Sequence, residues 1–103
     1  MQKNCEPAHF SPGQLVRSRQ GRDQGEYYLV MQIKDQILFL TDGRKRGVKT
    51  PKKKNARHVQ KTLKVAADLG LLWQNGAHVS DENVREGLHS LLSEVSEKDS
   101  GKD

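Results

Sequence analysis

The sequence predicts a mainly β fold, a small barrel of about five strands followed by a C-terminal helical segment. Three observations predict it. Short runs of β-forming residues, separated by turn signals, occupy much of residues 14–63. The two central runs are apolar on both faces, so one face can fill a barrel interior while the other needs a cover. After Ser80 the apolar period changes from two residues to that of a helix, which supplies the cover.

Each element follows from local chemistry. Ser11-Pro12-Gly13 is a turn signal, and Gln14 to Arg19 reads as the first strand. Alternation there puts Leu15, Arg17 and Arg19 on one face, with Val16 and Ser18 on the other. Residues 21–25 form a loop bounded by two glycines. Tyr27 to Lys34 is the strongest strand, with Leu29, Met31 and Ile33 pointing one way and Tyr28 and Val30 the other. Asp35-Gln36 turns the chain, Ile37 to Thr41 returns as a second strand, and Asp42-Gly43 ends it. Val48 to Thr50 is expected as a short strand before Pro51, which keeps Thr50 extended. A further strand is expected around His58 to Leu63.

A short helix is expected from Val65 to Trp73, ending near Asn75-Gly76. Ser80 is a good N-cap, and Asp81 and Glu82 suit the first turn of a second helix. Val84, Leu88, Leu91, Leu92 and Val95 form its apolar stripe. Gly87 inside the stripe costs about 1 kcal/mol relative to Ala, so packing must hold that helix. The expected organisation is a mobile N-terminus at 1–10, the barrel with its basic segment at 11–64, a helical extension at 65–95 and a disordered tail at 96–103.

Charge is the strongest functional signal. Between Arg44 and Lys64 there are ten Lys or Arg residues and no Asp or Glu. Such a run cannot form a core, because each cation would leave water without a partner. It suits contact with a polyanion, and nucleic acid is the commonest. Residues 1–64 hold 15 Lys or Arg against 5 Asp or Glu, a balance of +10, and residues 65–103 hold 3 against 8, a balance of −5. The acidic part is expected to point away from the basic surface.

Other chemistry is excluded or unsupported by the residues. A single cysteine, Cys5, rules out an internal disulfide and suits a reducing compartment. With no apolar signal core and no stretch of roughly 20 apolar residues, the expectation is a cytoplasmic protein with no membrane partner. His9, His58, His78 and His89 are scattered, and Cys5 with His9 makes only half of a zinc site, so no metal or cofactor is expected. No grouping pairs a nucleophile with a base, so no enzyme is expected. The loop at 21–25 lacks the Gly-Lys-Ser/Thr ending of a nucleotide-binding loop. Tyr27 and Tyr28 are candidate base stackers, but neighbouring strand positions face opposite ways, leaving one for the core.

Residues 12–43, PGQLVRSRQGRDQGEYYLVMQIKDQILFLTDG, resemble the KOW motif: a Gly-x-x-Val start, a glycine loop, a strand and a return strand ending at a turn. The continuation RKRGVKTPKKKNARHVQ is similar to the small bacterial KOW-domain RNA-binding proteins. These are themselves similar to large-subunit ribosomal proteins of archaea and eukaryotes. The resemblance spans roughly positions 12–62 and implies an SH3-like barrel whose basic residues after the Asp-Gly turn meet RNA. Gly21 and Gly25 match the glycine loop, whereas Gln24 departs from the basic residue often found there. The C-terminal DENVREGLHSLL resembles the closing helix of the bacterial group.

The expected function is non-catalytic binding of structured or ribosomal RNA, with a ribosomal or transcription protein as a further partner. The expected RNA-binding residues are Arg17, Arg19, Arg22, Arg44, Lys45, Arg46, Lys49, Lys52, Lys53, Lys54, Asn55, Arg57, His58 and Lys61. With few aromatics, phosphate and shape recognition should dominate. The alternative is an SH3-like protein-interaction module that docks an acidic partner such as a transcription or translation factor.

Overall fold

Strand β1 covers Gln14–Ser18, β2 Tyr27–Lys34, β3 Ile37–Thr41, β4 Lys52–Asn55 and β5 Val59–Val65. Helix α1 covers Ala67–Gln74 and α2 Asp81–Gly101. These elements come from a computed structural model that describes residues 10–101, with side chains through residue 93. The mobile N-terminus expected at 1–10 falls almost wholly outside the described residues. So does the end of the tail expected at 96–103, where no side chain is described.

The five strands form one antiparallel sheet in the order β4-β3-β2-β1-β5. Its two edges, β4 and β5, are consecutive in the chain, joined by a 3-10 turn at Ala56–His58. A flat sheet would hold those edges about 19 Å apart. A turn of this kind advances only about 6–8 Å. The sheet must therefore curl. Hydrogen bonds from Ala56 N–H to the Gln36 carbonyl (2.9 Å) and from Arg19 N–H to the His58 carbonyl (2.8 Å) pin the linking turn to both sides. No ladder joins β4 to β5, so the sheet is curled but not closed.

Curling leaves two apolar layers. Val16, Tyr28, Val30, Leu38 and Leu40 line the concave face and meet Phe10, Ala56 and Val59. Leu15 and Leu29 face outwards, where Leu69, Val79, Val84 and Leu91 cover them. The helices are thus the cover that the two-sided apolar pattern requires.

Two expected details change. A bulge on β2 moves the register from Val30↔Leu40 to Gln32↔Phe39, so the strand carries one extra residue. Its alternation slips there, and Ile33 packs with the face of Val30 instead of that of Leu29. Val48 to Thr50 is a turn rather than a strand, and the strand begins after Pro51 instead. Val48 has other commitments: its N–H donates to Asp81 Oδ1 (2.7 Å) and its side chain packs under the helices.

Val65 ends β5, and α1 starts at Ala67. Ser80 caps α2 as expected: Asn83 N–H donates to Ser80 Oγ (3.1 Å) while Ser80 N–H donates to Asn83 Oδ1 (3.3 Å). Gly87 has a packing reason. A Cβ there would lie 2.8 Å from Leu69 Cδ1, so glycine makes room for the Leu69 side chain of α1.

Candidate nucleic-acid interface

The basic run folds into three structural settings. The first is the loop after β3. Asp42 Oδ1 accepts from the N–H groups of Arg44 and Arg46, each at 2.9 Å. The Arg46 carbonyl accepts from Thr41 Oγ1 (2.6 Å) and from the N–H groups of Asp42 (3.0 Å) and Gly43 (3.3 Å). The start of α2 braces this loop from outside. Asp81 holds Val48, and Arg85 Nη1 donates to the Gly43 carbonyl at 2.7 Å. Gly43 has φ 75°, and a Cβ there would meet Asp81 O at 2.7 Å, so the turn requires glycine. The backbone is fixed while Arg44, Lys45, Arg46 and Lys49 stay exposed. None of these four side chains has an ion-pair partner among the described residues.

The second setting is β4, and it splits the lysine triplet. Lys52 pairs with Leu40 and Lys54 with Leu38, so both lean towards the concave face. There Lys54 Nζ meets Asp23 Oδ1 at 3.1 Å and Lys52 Nζ meets Asp23 Oδ2 at 3.5 Å. Ser18 Oγ and Tyr28 OH also donate to that carboxylate, at 2.7 and 3.0 Å. The side chains of Lys54 and Asp23 are only 11% and 12% exposed. Burial pushes the Asp23 carboxyl up, but the bonds from Ser18, Lys54 and Tyr28 outweigh it and hold the group well below the usual carboxylate range. Burial, then the adjoining Asp23 carboxylate, raise the Tyr28 phenol. Lys53 points the other way and lies 5.8 Å from the centroid of the Phe39 ring, exposed to solvent.

The third setting is the β1–β5 side. Arg17 on the outer face of β1 and Arg19 just past the strand line one cleft, and register places Arg17 opposite Gln60 of β5. The Arg17 guanidinium carbon lies 5.5 Å from the Tyr27 ring centroid, and its Nε donates to the Gly25 carbonyl at 3.3 Å. Arg22 is exposed in the β1–β2 loop and Arg57 on the 3-10 turn. Lys61 is exposed opposite Val16, so it stands on the other side of β5 from Gln60. Asn55 is committed locally, since its side chain accepts from Arg57 N–H at 3.0 Å and caps the turn. His58 is half-buried, and its carbonyl takes the Arg19 N–H.

No protein-family model matches this chain, and no curated protein matches it.

The arrangement brings Arg17, Arg19 and the 3-10 turn together and holds Arg44 to Arg46 on a braced loop. It withdraws Lys52 and Lys54 from free display. Among the described residues no three His, Cys, Asp or Glu side chains gather as a metal site, and no helix is long and apolar enough to cross a membrane. Sequence reasoning missed Asp23 as an internal counter-ion. The strand alternation of Lys52 and Lys54 was the available signal, because a strand running beside an apolar partner turns every second side chain inwards. It also missed Asp81 and Arg85 as braces. Nothing local marks them, since their partners are 33 and 42 residues away.

Proposed function

We propose that this chain is a non-catalytic RNA-binding protein, built as an SH3-like barrel of the KOW type, that docks on structured or ribosomal RNA. The observation that carries the reading is the braced loop of Arg44, Lys45 and Arg46. Three cations are exposed, close in sequence and without an ion-pair partner among the described residues, on a backbone fixed by Asp42, Asp81 and Arg85. Cations that repel one another are held close without an ion pair among the described residues, which favours an anionic partner. Arg17, Arg19, Arg22, Lys49, Lys53, Arg57 and Lys61 extend the positive surface. Lys52 and Lys54 serve chiefly to seal the open end of the sheet with Asp23.

Docking is electrostatic, and its free energy comes largely from released counterions. The test is a salt titration of binding to a structured RNA, with an acidic protein of matched charge as competitor. The expected result is an affinity that falls linearly on a log–log plot against salt, with the RNA retained over the competitor. Preferential retention of the acidic protein favours a protein-interaction module instead.

A further inference from the structure

Beside the phosphate-binding cations, the outer face of the sheet carries a polar cleft of about 370 Å³, lined by Arg17, Ser18, Arg19, Gln24, Gly25 and Gln60. We infer that this cleft takes one unstacked RNA base, so that the protein prefers RNA with an unpaired nucleotide over a continuous duplex. The inference rests on the RNA-binding reading and adds the kind of RNA to it.

The lining offers contacts that a base can use and a bare phosphate cannot. Arg17 lines the cleft, and its guanidinium carbon lies 5.5 Å from the centroid of the Tyr27 ring, which does not line it. Its Nε donates to the Gly25 carbonyl at 3.3 Å, which restricts rotation of the group. A guanidinium beside a ring offers a flat, polarisable surface, and single-stranded bases stack on such planes. The walls carry two neutral amides, Gln24 and Gln60, whose side chains make no hydrogen bond to any described residue. Each amide presents an acceptor as well as donors. The amide carbonyl can pair with the N–H edge of a base, a contact that a phosphate oxygen does not offer. The Ser18 hydroxyl is turned away to Asp23, so it does not compete for the ligand. Arg19, which lines the same cleft, is placed for the phosphate that follows the base. The volume lies near the lower end of the roughly 300–1,000 Å³ typical of small-ligand clefts, which suits a base with its ribose.

The test uses hairpin RNAs of equal length and charge. One is fully paired, and four others each carry a different single-nucleotide bulge. For the full chain, at least one bulged hairpin is expected to bind about tenfold tighter than the paired one, as base stacking gives. Arg17→Lys keeps the charge but removes the plane, and Gln60→Ala removes one amide. In each variant the bulged-to-paired ratio should fall to near one. Lys45→Gln should weaken both kinds of hairpin alike and keep the ratio. A ratio near one in the wild-type protein, or a ratio that either cleft variant leaves intact, overturns the inference. Absence of salt-dependent binding to any hairpin defeats the RNA reading itself, and so the two failures are distinguishable.

Discussion

Lys52 and Lys54 on β4 and Arg44 to Arg46 on the preceding loop belong to one uninterrupted basic run, yet the fold treats them oppositely. The strand lysines face inwards at the mouth of the curled sheet and share one carboxylate, Asp23, with Ser18 and Tyr28. The loop cations face outwards on a backbone that acidic side chains hold only through N–H groups. Asp42 and Asp81 therefore shape the loop without neutralising it. Counting charge along a chain measures neither the charge displayed nor the charge spent. The secondary structure that carries each residue decides between them.

The largest effect should separate the two regions by stability. Lys54→Ala leaves Asp23 with a weakened set of partners in a largely buried place, and should lower unfolding free energy by about 2–3 kcal/mol in a urea titration. Lys45→Ala should change it by no more than about 0.5 kcal/mol. Equal losses would erase the distinction. The same cluster argues against reversing the charge of all three β4 lysines as a binding test, because two new carboxylates beside Asp23 would attack the fold.

Acid should sharpen the contrast. The folded-state pKa of Asp23 is depressed, so its contribution is present above the unfolded carboxylate value of about 4 and is lost as pH falls towards the folded value. Urea midpoints should decline below about pH 4, and less steeply in Asp23→Asn. Tyr28 acts at the other end. Its pKa is raised, so its contribution holds below the unfolded phenol value of about 10 and fades as pH climbs beyond it.

A smaller effect tests the brace. Asp81→Ala makes the protein more positive, so charge alone predicts tighter RNA binding. Freeing Val48 and the loop should instead weaken binding by about twofold to tenfold, the scale of ordering a few side chains. Tighter binding in a gel-shift series would mean that loop geometry does not matter.

The sheet was largely legible because its strands are marked at both ends. Pro12-Gly13, Asp35-Gln36 and Asp42-Gly43 punctuate runs of β-formers, and Ser80 announces α2. The β2 bulge was not legible: nothing in Leu29-Val30-Met31-Gln32 says where an extra residue is accommodated, since pairing with β3 decides it. Val48 misled for a related reason. Its β-branched side chain suits a strand, but a carboxylate far along the chain claims its N–H. The basic surface was visible as charge and invisible as geometry. Arg17 and Gln60 meet only through the β1–β5 register, and the pairing of Lys54 with Asp23 joins a strand to a loop that sequence spacing does not relate.

The most direct test compares salt dependence in two variants. One replaces Arg44, Lys45 and Arg46 with Gln, and the other replaces Lys53 alone. Removing one cation that neutralises a phosphate lowers the log–log slope by about 0.7–0.9. The triple variant should lower the slope by about 2–3 while its urea midpoint stays at the wild-type value, and Lys53→Gln should lower it by no more than about one. A triple variant with the wild-type slope would contradict the claim that this braced, uncompensated loop is what the protein presents to RNA.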